Sequence, residues 1–220
     1  AMLTEAQMAQ FRRDGFLAIP EFWTAEEVAA MRGELDRLKA EGHLRNVATD
    51  AAKQNLQITQ SFKVSPLFRA AALHPRVVQV LREIIGPNVK AMQTMLFVKH
   101  AGKPGQAWHQ DENFIPTRDR SLAAAWIALD DATVENGCLW AHPGSHRAGV
   151  LWPDAAHGDA RFDPVREARG FPYAREGGVA LPVRAGGAVF FHGHLLHRSL
   201  PNVTTHGFRR ALVTHYMSAE

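Results

Sequence analysis

The sequence has a single cysteine and no long apolar run, and each shortage excludes a class of protein. Cys138 is alone among 220 residues, so neither a disulfide within the chain nor a thiolate cluster for zinc can form. Its apolar surroundings favour a buried, unreactive thiol. No apolar stretch approaches the roughly 20 residues that cross a bilayer. We therefore expect no membrane partner.

Clusters of basic residues are also missing, although the formal net charge is +3. Arg12-Arg13 and Arg209-Arg210 are isolated doublets, whereas a nucleic-acid-binding protein presents a clustered basic face. We expect no nucleic-acid partner, and a base-flipping demethylase is disfavoured for the same reason. The first residues lack the basic and apolar segments of a secretory signal. A reducing, cytoplasmic setting is expected.

Helical periodicity marks the first 40 residues and a later segment, 74–85, and short β-forming runs follow residue 88. Helices are predicted at 4–14, 24–42 and 74–85, the second because Thr24 and Glu27 form a capping box. A short strand is predicted at Phe16–Ile19. Further strands are predicted at Met92–Lys99, Ala123–Leu129, Cys138–Ala141, Gly178–Pro182, Ala188–His192 and Arg210–Tyr216. This order indicates an α+β fold with an antiparallel sandwich or barrel, in one domain spanning 1–220.

Histidine is abundant, and its spacing indicates a metal site. His109 and Asp111 lie two residues apart, so on an extended strand both point to one side and can hold one ion. A face of two histidines and one carboxylate needs another histidine and leaves three coordination positions open. His192, His194 and His197 follow an apolar strand, and the spacing alone leaves open which of them completes the face.

Two arginines on a later strand candidate, Arg209 and Arg210, suit a co-substrate that carries two carboxylates. A 2-oxo acid that chelates iron through its oxo group and one carboxylate needs a cation for the other carboxylate. Arginine offers a planar, bidentate fork for it. Because strand side chains alternate, only one of the two arginines can point inward.

Several longer motifs occur in a characteristic order: Phe11–Leu17, Met92–Leu96, Trp108–Asp111, Trp126–Asp131, Glu135–His146, His197–Asn202 and Gly207–Arg209. The block Glu135–His146 is the most specific of them. Together they resemble the phytanoyl-CoA dioxygenase family of iron(II)- and 2-oxoglutarate-dependent oxygenases over nearly the whole chain. The resemblance implies a double-stranded β-helix, or jelly-roll, core with flanking N-terminal helices.

Matched position by position, the resemblance also implies site residues. The implied ligands of Fe(II) are His109, Asp111 and His197. The implied pocket for 2-oxoglutarate has Arg209 on the far carboxylate with Ser199 beside it, and Trp126 and Gln110 in its lining. The interval from His197 to Arg209 is twelve residues here, whereas relatives commonly have eleven. Alignment backwards from Thr214–Met217 restores Arg209 to the position of the carboxylate-binding arginine, and Arg210 remains the alternative.

The implied function is a dioxygenase that uses Fe(II), 2-oxoglutarate and O2 to hydroxylate a small organic substrate, releasing succinate and CO2. Relatives that halogenate replace the carboxylate ligand with a small residue, so Asp111 favours hydroxylation. The alternatives are a cupin-like non-redox metalloenzyme, which would need no arginine for a 2-oxo acid, and a non-catalytic metal- or ligand-binding jelly-roll protein. The oligomeric state stays open.

Substrate recognition is expected from two variable segments, 43–62 and 150–175. The second includes an insertion, 152–174, that could cover the site as a lid. The arginines of segment 150–175 predict a cationic loop compatible with an anionic substrate: Arg161, Arg166, Arg169 and Arg175.

Other polar residues are expected to have structural places. Lys99, His100 and Lys103 predict a solvated loop, although they could also guide an anionic substrate. His215 is expected in the core or in a pocket wall, on the last strand. His142 and His146 are expected to satisfy backbone groups of a loop.

Overall fold

The computed structural model describes residues 3–47 and 56–220. Residues 48–55, part of the predicted recognition segment 43–62, lie outside the described residues. The helices are α1 (Glu5–Asp14), α2 (Ala25–Ala40), α3 (Pro66–Ala72) and α4 (Pro75–Ile84). Thr4 and Thr24 close capping boxes with Gln7 and Glu27, as the sequence predicts for the second helix.

The strands form two principal antiparallel sheets. They are β1 (Phe16–Ile19), β2 (Arg45–Asn46), β3 (Leu56–Thr59), β4 (Val89–His100), β5 (Gln106–His109), β6 (Ala123–Ala128), β7 (Leu139–Ala141), β8 (Asp154–Ala155), β9 (Glu167–Ala168), β10 (Val179–Leu181), β11 (Ala188–His192), β12 (His197–Ser199) and β13 (Phe208–Ser218). The larger sheet has the order β1-β11-β6-β13-β4-β3-β2, and the smaller has the order β10-β7-β12-β5. Strands β8 and β9 pair separately.

Alternating side chains send the two faces of the larger sheet into different cores. On one face, Ile127 and Leu212 pack with Leu35 of α2 and with other helical residues. On the opposite face, Trp126 and Val213 pack with residues of the smaller sheet. The helices therefore cover the outside of the larger sheet, and the space between the sheets is left for a site.

This arrangement confirms the predicted α+β fold, a jelly-roll core with N-terminal flanking helices. The predicted strand Ala188–His192 matches β11, and the other predicted strands lie within a few residues of observed ones. The short elements α3, β5 and β12 were not predicted, because the two strands have only three or four residues and α3 makes only two helical turns. Among the described residues, no helix has the length and apolarity that crossing a membrane requires.

Candidate functional site

The metal-ligand candidates come from two neighbouring strands of the smaller sheet. β5 ends at His109, and Asp111 opens a short 3-10 turn directly afterwards. β12 begins at His197, whose register partner on β5 is His109. The fold thus places the three predicted ligands side by side, although Asp111 lies in a turn rather than on the strand.

Backbone carbonyls fix the orientation of both imidazoles. Nδ1 of His109 lies 2.8 Å from the carbonyl of Ala107, and Nδ1 of His197 lies 2.9 Å from that of Leu195. Because a carbonyl can only accept, each Nδ1 carries the proton and each Nε2 presents a lone pair. These Nε2 atoms lie 3.4 and 3.3 Å from Oδ1 of Asp111.

These distances fit a divalent ion. Ligand atoms at about 2.1 Å from a metal and at right angles to one another are about 3 Å apart. The candidate ligand atoms all lie within 4.8 Å of one another, and all three residues are buried. Two imidazole nitrogens and a carboxylate on one side of an ion leave the opposite side free for other ligands.

His215 holds the carboxylate of Asp111 from behind. Its Nε2 lies 2.7 Å from Oδ2 of Asp111 and donates to it, since a carboxylate only accepts. Nδ1 of His215 then accepts from the amide of Gln93, at 3.4 Å. Burial alone would raise the pKa of Asp111, but the imidazoles of His197 and His215 hold it well below the ordinary value. Asp111 is therefore a carboxylate over the physiological range.

The predicted place of His215 in a pocket wall is confirmed, but the sequence did not predict its contact with Asp111. A usable signal was present in the sequence. Counting every second residue along β13 from Arg209 reaches Val213 and then His215, and all three line the same cavity.

The other two histidines that the spacing left open do not reach the ligand group. β11 ends at His192, and a turn carries the chain across to β12 in the other sheet. The ring of His192 contacts that of His146 instead, with 5.2 Å between centroids. Burial lowers the pKa of His192 to about 4. Nδ1 of His192 accepts from the backbone N–H of His194.

A cationic pocket adjoins the metal-ligand group. Arg209 is 4% exposed, lies 5.5 Å above the ring centroid of Trp126, and lines one cavity with Trp126 and Ser199. Burial lowers the pKa of Arg209 to about 10, so it is charged at neutral pH. Arg210 points the other way and forms a bidentate pair with Asp130. Strand alternation thus directs Arg209, not Arg210, into the pocket.

Lys99 also belongs to this pocket, which corrects the predicted solvated loop. It lies on β4, opposite Arg209 in the register with β13. Its Nζ donates to Oγ of Ser199 at 2.9 Å and to the carbonyl of Leu200 at 3.0 Å. Burial, and next Arg209, lower the pKa of Lys99 well below its ordinary value.

Gln110 is not in the pocket, contrary to the prediction. Strand alternation turns its side chain away from that of His109, and it is fully buried. Its amide nitrogen donates to the carbonyls of Val150 and His194, and its amide oxygen accepts from the N–H of Trp152. Gln110 therefore fixes the chain at 150–152 behind the ligand group.

Two half-sites, the metal-ligand group and the cationic pocket around Arg209, open into one cavity of about 580 Å³. The metal-ligand group and the cationic pocket share this space with mainly apolar side chains. Its further lining includes Val47, Leu56, Gln93, Met95, Phe97, Lys103, Phe114, Ile115, Leu139, Asp163, Val165, Arg166 and Phe191.

The insertion 152–174 forms one wall of the cavity, but the arginines of segment 150–175 are paired with acidic residues. Backbone hydrogen bonds of 2.8 Å link Gly105 to Arg161 and Asp163, fastening the insertion to the residues before β5. Ion pairs join Arg161, Arg169 and Arg175 to Asp159, Glu167 and Glu176. The predicted cationic loop is therefore wrong, because Asp159, Glu167 and the adjoining Glu176 compensate these three arginines. Arg166 pairs with Asp154 and also lines the cavity.

His142 and His146 differ from one another. Nε2 of His146 lies 3.0 Å from the carbonyl of Arg12, so it satisfies a backbone group as predicted. The ring of His142 instead lies between Trp108 and Tyr173, with centroid distances of 4.2 and 4.9 Å. His142 is thus a packing residue behind β5.

Comparison with known protein sequences gives a consistent picture. The phytanoyl-CoA dioxygenase family profile matches residues 11–211. Phytanoyl-CoA dioxygenase domain-containing protein 1 of Mus musculus is 29% identical over 274 aligned residues, covering 100% of this chain and 91% of the mouse protein. The peroxisomal phytanoyl-CoA dioxygenase of Rattus norvegicus is 30% identical over 247 residues, covering 100% of this chain and 70% of the rat protein.

Solved structures agree in fold over nearly the whole chain. SnoN, a non-heme alpha ketoglutarate dependent epimerase from nogalamycin biosynthesis, has a TM-score of 0.82 at 27% identity, covering 98% of this chain and 83% of SnoN. SnoN is also known in complex with Fe3+, alpha ketoglutarate and nogalamycin RO. EvdO2 from Micromonospora carbonacea var. aurantiaca, complexed with 2-oxoglutarate, has a TM-score of 0.72 at 28% identity, covering 100% of this chain and 92% of EvdO2.

Proposed function

This chain belongs to the phytanoyl-CoA dioxygenase family of iron- and 2-oxoglutarate-dependent oxygenases, and we propose that it hydroxylates a small organic substrate. The observation that carries the proposal is that two half-sites open into one cavity. One is the group of His109, Asp111 and His197, and the other is the cationic pocket around Arg209. A 2-oxo acid with a second carboxylate spans two such half-sites.

The protein supplies binding and orientation for this reaction. His109, Asp111 and His197 would hold the iron through two Nε2 atoms and a carboxylate oxygen. Arg209 and Ser199 would hold the far carboxylate of 2-oxoglutarate. When bound, iron(II) and 2-oxoglutarate together with O2 supply an oxidant for an unactivated C–H bond, and 2-oxoglutarate leaves as succinate and CO2. Apolar walls such as Phe191 and Val213 limit water near the ligand group.

Asp111 favours hydroxylation over halogenation at such a centre. A carboxylate in this position occupies the room that a halide would need. The cavity of about 580 Å³ has to hold the co-substrate as well, which leaves space for a small metabolite. Lys103 and Arg166 line this cavity and are compatible with an anionic group on that metabolite.

Inversion of a stereocentre is a second candidate reaction, because SnoN is an epimerase with a TM-score of 0.82 to this chain. Both reactions begin by removing a hydrogen from carbon. They differ in whether oxygen enters the product. Turnover under 18O2 separates them, since hydroxylation places one labelled oxygen in the product and epimerisation places none.

An anaerobic titration tests the co-substrate site. Iron(II) and 2-oxoglutarate added together should produce a weak visible charge-transfer band that neither produces alone. His197→Ala should abolish the band. Arg209→Met should raise the 2-oxoglutarate concentration needed for it, whereas the exposed Arg184→Met should not. A wild-type protein without the band would contradict the proposal.

A substrate screen then tests the activity. Small acids and acyl-CoA esters can be compared by substrate-stimulated succinate formation coupled to O2 consumption. A cupin-like non-redox enzyme would keep its activity in Arg209→Met, and a non-catalytic binding protein would release no succinate. Either result would replace the proposed function with the corresponding alternative.

A further inference from the structure

Two cations face each other across neighbouring strands at the end of the cavity. Lys99 of β4 and Arg209 of β13 are register partners, and both line the cavity. Like charges directly opposite one another destabilise a pair of strands. Such an arrangement calls for an anion that compensates both.

The hydrogen bonds that these two cations donate within the described residues all go to neutral acceptors, while the carboxylate of Asp163 in the same cavity acts on Lys99 through its charge. Nζ of Lys99 donates to Oγ of Ser199 and to the carbonyl of Leu200. Nε of Arg209 donates to the carbonyl of Gly137 at 3.1 Å. Neither cation takes part in an ion pair between described residues. Desolvated cations that no carboxylate contacts directly are costly, so a bound carboxylate between them would stabilise both.

Donors converge on the space between them. The ammonium group of Lys99 has three hydrogens, of which two are engaged. Oγ of Ser199 accepts from Lys99 and from the N–H of Gln106, so its own hydrogen is available for donation. The terminal nitrogens of Arg209 have no hydrogen-bond partner among the described residues. A carboxylate placed here can accept from three side chains on three different strands.

We propose that Lys99 is a specificity-determining residue that donates to the distal carboxylate of 2-oxoglutarate alongside Arg209 and Ser199. Lys99 thereby makes the pocket select 2-oxo acids that carry a second carboxylate. This inference rests on the proposed function, because it presumes that the 2-oxo end binds at the metal.

A pair of matched ligands separates this role from a structural one. 2-Oxopentanoate has the same five-carbon chain as 2-oxoglutarate but ends in a methyl group, so it can chelate the metal without an anion at Lys99. Dissociation constants for both are measured by calorimetry on the iron(II)-loaded protein without oxygen. The variants are Lys99→Met and Lys99→Gln, with Lys90→Met as the control on an exposed part of the same strand.

Lys99→Met should lose about ten- to a hundredfold in affinity for 2-oxoglutarate, the range for a hydrogen bond to a charged group. Its affinity for 2-oxopentanoate should stay near that of the wild type. Lys99→Gln keeps N–H donors but removes the positive charge. It should lose as much affinity for 2-oxoglutarate, because the charge is what strengthens the hydrogen bond to the carboxylate. Lys90→Met should match the wild type for both ligands.

Several outcomes would overturn the inference. If Lys99→Met lost affinity equally for 2-oxoglutarate and 2-oxopentanoate, Lys99 would be a structural residue. If both affinities matched those of the wild type, Lys99 would lie outside the carboxylate site. Should both neutral variants fail to fold, Lys99→Arg keeps the inference testable, because it must retain the preference for 2-oxoglutarate. A wild-type protein without that preference would instead overturn the proposed function, so the two failures are distinguishable.

Discussion

The hydrogen bond from His215 to Asp111 should control how tightly the protein holds its metal. It is buried, spans 2.7 Å and ends on a carboxylate, so it belongs to the stronger class of hydrogen bonds. Losing such a bond costs about 1.5–3 kcal/mol. Replacing an outer partner of a metal ligand typically lowers metal affinity about 10- to 100-fold. His215→Phe should weaken iron(II) binding by that factor.

The assay is competition for iron(II) against a coloured chelator under argon. His215→Gln can still donate an N–H to Asp111 and should recover part of the affinity. The exposed His206→Gln serves as its control and should leave the affinity unchanged. Thermal unfolding of the metal-free variants shows whether the fold persists. If His215→Phe folds and binds iron(II) as tightly as the wild type, the reasoning about this hydrogen bond is refuted.

Two further predictions concern the cationic pocket. Affinity for 2-oxoglutarate should fall as the pH rises through the lowered pKa of Lys99, because only the protonated amine binds a carboxylate and binding raises its pKa. Calorimetry in buffers of different ionisation enthalpy should detect proton uptake on binding below the ordinary lysine pKa of about 10.4, and its absence would contradict this. Gly105→Ala should destabilise the fold by about 1–3 kcal/mol and weaken 2-oxoglutarate binding, because a Cβ would overlap the backbone of Ser199 and Leu200. Thermal unfolding and ligand titration measure both effects, with Gly158→Ala as the control because its Cβ meets nothing within 4 Å. Equal stability and equal affinity of the two variants would contradict this prediction.

Local patterns in the sequence predicted the long elements, and residue types pointed to the three residues that the structure brings together as candidate ligands. The capping box at Thr24 and the apolar spacing of α2 depend on neighbours within a few residues, and the structure confirms both. The grouping of His109 and Asp111 with a later histidine followed from residue types and motif order. Spacing alone could not choose His197, because the turn between β11 and β12 moves the chain to the other sheet.

The remaining site features depend on pairing between distant strands. Lys99 enters the pocket because β4 lies against β13 in one particular register, which the separate strands do not determine. Gln110 lies next to two metal-ligand candidates in the sequence, but its side chain points away from the pocket because side chains alternate along an extended chain. The prediction of a cationic loop at 150–175 was wrong because the acidic residues that neutralise its arginines come into contact with them only when the segment is folded.

The direct pairing of His109 with His197 has a consequence for the connectivity of the chain. These residues are far apart in sequence, yet they occupy one rung of the β5–β12 ladder. An ion held by both acts as a removable cross-link that closes the long loop between them, in the way that a disulfide does in other proteins. This chain has no disulfide to use. Because unfolding must break that link, the supply of metal becomes a determinant of how long the folded protein survives as well as of whether it can react.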